Sequence, residues 1–330
     1  MTTTTRRRAI AAAVALVLAA GIAGCGGENP TGGGDSGGLY KGGRLSIATG
    51  NTTGVYYQLG GGYADLITKH VSGYQATAEA TGASVENIQR VVRGDSDIAF
   101  TLADAAGDAA QGKGAFNGPQ PIRALARIYT NYTHVIALNS SGIKTVADMK
   151  GKRVSTGSPN SGTENIALRL LKAAGLNPDT DIKKQSLSLP ETVQGMKDGT
   201  IDALFWSGGR PTAGITDLTT SKGNQVTFIP LDDLLPKLQA EYGQVYQAGT
   251  LAKDVYKTPT DIATIIVPNL LVVSDKMPEA LASSLTEILF KYHDDLVKVH
   301  PEAKNISKED APKTEPVTLH PGAAKYLGVS

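Results

Sequence analysis

Cysteine, aromatic rings and net charge are all scarce in this chain, and each scarcity excludes a class of function. Cys25 is the one cysteine among 330 residues, so no intramolecular disulfide staples the fold and no thiolate cluster can hold a metal. The five histidines, His70, His134, His293, His300 and His320, are scattered. No two of them have the spacing that sets a metal-ligand pair on one helix face, and no metal is expected. Aromatic residues make up 5%, too few for a platform on which single-stranded bases stack. Lys and Arg total 32 against 31 Asp and Glu. Phosphate backbones need a basic face, so no nucleic-acid partner is expected.

Apolar runs long enough to span a bilayer, about 20 residues, are also missing. The N-terminal run from Ala9 to Ala20 follows Arg6, Arg7 and Arg8 and leads to Ile22-Ala23-Gly24-Cys25. A positive segment, a short apolar run and small residues before a cut make residues 1–24 a signal peptide. A cysteine directly after them is the lipobox arrangement of bacterial lipoproteins. Cys25 is therefore the expected lipidation site, placing the protein on the extracytoplasmic face of a cell membrane; an ordinary signal peptide with an incidental Cys25 is the alternative. Cleavage there removes three arginines and no acidic residue, which leaves the body near neutral. Residues 25–43, rich in glycine, cannot bury enough apolar surface to fold and read as a tether.

What remains alternates between strand and helix patterns. Leu45 to Ala48, Tyr74 to Ala80, Asp97 to Thr101, Val154 to Thr156 and Ala203 to Trp206 read as strands. Helical periodicity marks Val55 to about His70, the stripe Val85, Ile88, Val91 and Val92, and Thr163 to Ala174. Such alternation predicts an α/β fold with a mainly parallel sheet covered on both faces. Two extended stretches, 123–138 and 225–231, read as crossings between lobes. They would make one lobe discontinuous, 44–130 plus 230–330, around an inserted lobe at 131–229. A single large sheet is the other reading.

Three strand-to-helix junctions concentrate glycine and hydroxyls: residues 49–57, 81–87 and 155–164. The first N–H groups of a helix lack an internal partner and sit at the positive end of its dipole. Such an end accepts a carboxylate or phosphate without a formal positive charge. Plain capping is the alternative, since Ser161 with Glu164 forms a capping box and Ser84 is a good N-cap residue. Enzyme signals are poor. Ser207 lacks the preceding glycine of a nucleophile elbow, and residues 107–114 offer Gly114 where a phosphate loop needs Ser or Thr. No catalytic residue and no cofactor are expected.

In order and spacing, these junctions resemble the TAXI family, the receptors of a subclass of tripartite ATP-independent (TRAP) transporters. The similarity runs from Arg44 to Gly328. It is carried by Ala48-Thr49-Gly50 with Gly54-Val55-Tyr56-Tyr57, by Ser84-Val85-Glu86-Asn87 leading to Gly94-Asp95-Ser96-Asp97, and by Ser161-Gly162-Thr163-Glu164. Gly199-Thr200-Ile201-Asp202-Ala203 and His320-Pro321-Gly322-Ala323 complete it. The resemblance implies a two-lobed, hinged receptor of the periplasmic-binding-protein type (type II-like). It would capture a small carboxylate, glutamate- or glutamine-like or a 2-oxoacid, for a TRAP membrane permease. Carried over by motif, ligand contacts fall on Gly54, Tyr56, Tyr57, Ser84, Asn87, Ser161, Gly162 and Thr163. Trp206, Gly209 and Pro211 would form a further wall, and Arg210 is either a carboxylate partner or solvated. A binding protein of an ATP-driven importer shares this shape, and a secreted enzyme on the same scaffold is the remaining alternative.

Overall fold

The computed structural model of the chain describes residues 43–329; the expected signal peptide, Cys25 and the tether up to residue 42 lie outside the described residues. The strands are β1 (Gly43–Ala48), β2 (Tyr74–Glu79), β3 (Ile98–Leu102), β4 (Ile122–Leu138), β5 (Arg153–Ser155), β6 (Lys183–Gln185), β7 (Ala203–Gly208), β8 (Val226–Phe228), β9 (Gln247–Leu251) and β10 (Ile262–Ser274). The helices are α1 (Val55–His70), α2 (Ser84–Arg93), α3 (Ala103–Gln111), α4 (Gly162–Ala173), α5 (Leu189–Asp198), α6 (Ala213–Lys222), α7 (Leu235–Tyr242), α8 (Lys253–Tyr256), α9 (Glu279–Lys291), α10 (His293–Val299) and α11 (Pro321–Leu327). Among the described residues no helix is long and apolar enough to cross a membrane.

One sheet runs β2-β1-β3-β10-β4-β7-β5-β6, with β8 added beside β4 and β9 beside β10. Its flanks are parallel, β1 with β2 and β3 on one side and β5 with β6 and β7 on the other. Its centre is antiparallel, because β4 carries the chain out of the first half and β10 carries it back. Two opposite passes through one sheet must pair antiparallel. The expectation of a mainly parallel sheet therefore holds for the flanks and is corrected at the centre.

The first crossing, β4, lies where the sequence suggested. The second does not. Residues 226–228 form only the short β8 against the far end of β4, and the return is β10. Pro268 sits at a register shift in its pairing with β4, as expected of a residue with no N–H for the ladder. The same proline splits the apolar run in the sequence into two unremarkable pieces.

Packing follows the two halves. Leu45, Ile47, Leu59, Tyr63, Ile67, Leu271, Leu285 and Leu289 form a core on one face of the first half. Leu204, Trp206, Ile215 and Leu218 form its counterpart in the second, joined by Leu251 and Tyr256. Val255 and Ile262 pack against the same cluster. A third cluster follows the opposite sheet face through both halves, from Ile88 and Ala99 to Val154 and Leu170. The amphipathic pattern of α2 shows the local logic: Val85, Ile88 and Val91 are buried, and Gly94 ends the helix in the left-handed region at φ 79°, which glycine adopts without strain.

Candidate functional site

The N-termini of α1, α2 and α4 converge on one cavity of about 30 Å³ at the carboxyl ends of β1, β2, β5 and β7. Ligands of open α/β sheets bind at this edge. Eight of the eleven residues assigned to the site on sequence line it: Gly54, Tyr56, Ser84, Ser161, Gly162, Thr163, Trp206 and Gly209. The three junctions, far apart in sequence, thus form a single site.

Each junction is built for close approach. Gly54 precedes α1, and a Cβ there would stand 3.5 Å from the Trp206 ring of the other half. Gly162 opens α4 against Ser84, where a Cβ would stand 2.5 Å from Ser84 Oγ. Ahead of α2, Ala83 has φ 85° and ψ −165°. That region is almost reserved for glycine, and an alanine there costs about 1–3 kcal/mol. Ala83 is itself part of the lining.

Capping explains these ends only in part. At α4 the Glu164 N–H donates to Ser161 Oγ at 2.9 Å, but the Glu164 carboxylate turns back to the Asn160 N–H, one residue earlier than a capping box requires. Ser84 is the first helical residue of α2 and no cap. Its Oγ accepts from the Leu102 N–H at 3.1 Å, tying α2 to the start of α3.

Below the helix ends lies a polar floor. The Tyr56 hydroxyl donates to Asn269 Oδ1 at 2.5 Å. The Asn269 amide donates to Asn131 Oδ1 at 2.8 Å and to the Tyr129 carbonyl at 3.0 Å. Asn131 in turn donates to the Ser207 carbonyl at 3.2 Å, and the Ser207 N–H donates to Thr163 Oγ1 at 3.1 Å. Burial holds the Tyr56 and Tyr129 phenols well above the ordinary tyrosine range, so both stay protonated. Tyr129, Asn131 and Ser207 line the cavity and were not expected from the sequence as ligand contacts. They sit on the strands β4 and β7, where no local motif announces them.

Three expectations are corrected. Asn87 is fully buried away from the cavity. Its amide donates to the Thr49 carbonyl at 2.6 Å and the Phe100 carbonyl at 2.8 Å, and its Oδ1 accepts from Thr81 at 2.6 Å. Asn87 therefore ties β1 to β3. Tyr57, one helical step from Tyr56, is half-buried outside the lining. Arg210 does not line the cavity and stays partly exposed: it lies 3.8 Å from the Tyr132 ring centre, its backbone N–H donates to Glu302 at 2.8 Å, and its guanidinium reaches the Thr250 carbonyl at 3.2 Å. Pro211 beside it is also absent from the lining.

No charged side chain lines the cavity. The lining therefore offers helix ends, hydroxyls and amides, and no base beside Ser207 to make it a nucleophile. A wider groove of about 1060 Å³ lies beyond Ser161. Its buried charges bond one another: Arg169 on α4 reaches Asp108 on α3 at 2.5 Å and Tyr246 at 2.9 Å, and Tyr246 donates to Asp104 at 2.7 Å, leaving Asp104 Oδ1 without a partner.

Solved structures share this architecture. The binding protein component of an ABC phosphonate transporter from Pseudomonas aeruginosa matches with a TM-score of 0.55 at 15% identity, over 81% of this chain and 80% of that one. A protein from Bordetella bronchiseptica matches at 0.51 and 18% identity, over 86% of this chain and 88% of that one. The periplasmic aliphatic sulphonate binding protein SsuA from Escherichia coli gives 0.47 and 18%, over 86% and 82%. At these identities the likeness is one of fold, the two-lobed α/β architecture of periplasmic binding proteins. The sequence itself matches over residues 47–328, and the chain belongs to the NMT1-like family.

Proposed function

We propose that this chain is an extracytoplasmic receptor that captures a small anionic solute, a carboxylate in the first place, and delivers it to a membrane importer. The observation that carries this reading is the convergence of three helix N-termini on one cavity with no charged side chain. First-turn N–H groups and helix dipoles then supply the attraction for the anion. At about 30 Å³ the cavity has room for about two waters, so admitting a solute of several carbons requires the halves of the sheet to part. Only β4 and β10 cross between the flanks, which makes them the natural hinge, with lobes of about 44–130 plus 268–329 and 131–267. Cys25 is the lipid anchor in this reading, and residues after it the tether.

The importer is a TRAP-type permease on the strength of the junction motifs. A second reading, an ATP-driven importer, is favoured by the phosphonate transporter component among the structural neighbours. Uptake of labelled solute by cells carrying the receptor and its permease decides between them. Collapse of the ion gradient stops the first, and ATP depletion with the gradient clamped stops the second. The receptor reading itself is tested by a thermal-shift screen of carboxylates, sulfonates and phosphonates. At a hundredfold excess over Kd, binding stabilises by about 2.7 kcal/mol. A screen with no shift would count against any small-solute receptor.

A further inference from the structure

We infer that the cavity selects small oxyanions whose remainder is uncharged and bears oxygen, rejecting the matching amino compounds, and that the Tyr129 and Ser207 hydroxyls are the groups that read that remainder. This rests on the receptor reading above and narrows it.

The argument begins with what an ammonium group would meet. Three helix N-termini point at the cavity, and their positive ends disfavour a cation as they favour an anion. A buried ammonium needs a carboxylate partner, and the carboxylates of the surrounding elements stand outside the lining. Glu86 accepts from the Gly82 N–H at 2.7 Å. Asp104 accepts from Tyr246 and from Asn165 at 3.0 Å through Oδ2, which also faces Arg169 at 3.6 Å, while its Oδ1 has no partner. Glu302 accepts from the Arg210 N–H and from Asn305 at 2.6 Å. None of the three lines the cavity.

The second observation is what remains unpartnered. Among the described residues, five buried side-chain polar atoms make no hydrogen bond, and two of them, Tyr129 OH and Ser207 Oγ, belong to cavity-lining residues. Buried polar groups are nearly always paired, and here the neighbours on the floor are already taken. Tyr56, Asn269 and Asn131 bond one another, and Thr163 accepts from the Ser207 backbone. Two neutral hydroxyls, each able to donate or accept, are therefore unpartnered in residues of the lining. An oxo or hydroxyl oxygen satisfies them. A hydroxyl-lined site built for oxygen also rejects the apolar analogue, whose binding would leave both hydroxyls unpaired.

Calorimetric titration of the purified chain with matched pairs tests this. The pairs are lactate with alanine, 2-hydroxyglutarate with glutamate, isethionate with taurine, and 2-hydroxyethylphosphonate with 2-aminoethylphosphonate. The first two pairs test a carboxylate headgroup, the third a sulfonate and the fourth a phosphonate. The expected result is binding of at least one hydroxy compound, with its amino counterpart weaker by about a hundredfold or more. An amino compound that binds as tightly as its partner overturns the selectivity and leaves the receptor reading intact. No heat from any of the eight, together with a blank thermal screen, sinks the receptor reading itself. Tyr129→Phe and Ser207→Ala test the contacts: each should weaken the bound compound by about tenfold without lowering the thermal midpoint, since each deletes a hydroxyl that holds nothing in the fold. Unchanged affinity in both variants overturns the assignment of these two groups.

Discussion

Asn269 on β10 donates to Asn131 on β4 across 2.8 Å, so the two strands that cross between the halves are joined by a buried side-chain bond as well as by their ladder. Leu270 and Leu271 beside Asn269 belong to ordinary core. The asparagine is there because three groups need it: the Tyr56 hydroxyl, Asn131 Oδ1 and the Tyr129 carbonyl. The two crossing strands and the cavity floor are one hydrogen-bonded unit.

Asn269→Leu should therefore cost much more than a lost contact. It strands three buried polar groups, each at about 1–3 kcal/mol, and the expected fall in unfolding free energy is at least about 3 kcal/mol. Urea unfolding of the variant beside the wild type measures it. A loss below about 1 kcal/mol would mean that the unit relaxes around other partners.

Asn87 separates fold from binding. Asn87→Ala removes the donor to the Thr49 and Phe100 carbonyls and should lower stability by about 2–4 kcal/mol. Affinity of the molecules that remain folded should change less than about threefold, because the side chain lies outside the cavity. Titration at a temperature where the variant is fully folded decides this, and a tenfold loss would return Asn87 to the site.

Acid should weaken the fold through a buried histidine. His134 Nδ1 lies 2.9 Å from the Tyr132 carbonyl and Nε2 lies 3.2 Å from the Tyr256 hydroxyl. A carbonyl only accepts, so the hydrogen-bond network assigns the proton to Nδ1 and makes Nε2 an acceptor. Burial pushes His134 down to about 4, below the ordinary value near 6.5. The unfolded chain then takes up a proton that the folded chain refuses. Its contribution is intact above pH 6.5 and falls away as pH drops toward 4, by up to about 3 kcal/mol. His300 and His320, also lowered by burial, act in the same direction. Thermal midpoints from pH 7 to 4 for wild type and His134→Gln isolate this one residue: the gap between the curves should narrow with acid, and parallel curves would refute the assignment.

The cavity was legible where its chemistry is local. A glycine and hydroxyl cluster between a strand and a helix has one physical reading, an open helix end, and three such clusters fold onto one another. The floor was not legible. Asn131, Ser207 and Asn269 matter because of which strands lie side by side, and pairing across the sheet leaves no mark in the sequence around any of them. Asn87 misled for a related reason. Three residues after Ser84 it shares a helix face with the cavity residue, yet it reaches past the helix end to carbonyls of β1 and β3. The alternation of strands and helices was visible in the sequence, whereas the return strand was hidden by Pro268 inside β10.

Trp206, the only tryptophan in the chain, stands in both worlds and can report on closure. Its indole N–H donates to Thr212 Oγ1 at 3.1 Å, and its ring packs in the core of the second half beside Ile215 and Leu218. The opposite edge forms part of the cavity wall, 3.5 Å from where a Cβ on Gly54 would stand. Gly54 belongs to the first half, so the edge of the indole is one point at which the halves touch across the site, as Gly162 against Ser84 is another. Parting them admits water to that edge, and closing them around a solute excludes it. Emission should therefore shift or change intensity on titration and saturate with the affinity found by calorimetry, with no second tryptophan to dilute the signal. Gly54→Ala should leave this response in place, since the added carbon meets the ring at 3.5 Å and the Asn51 carbonyl oxygen, at 3.1 Å, has to give by only a few tenths of an ångström. A ligand proven by calorimetry that leaves the emission unchanged would assign Trp206 to the core alone and rule out parting of the halves at this edge.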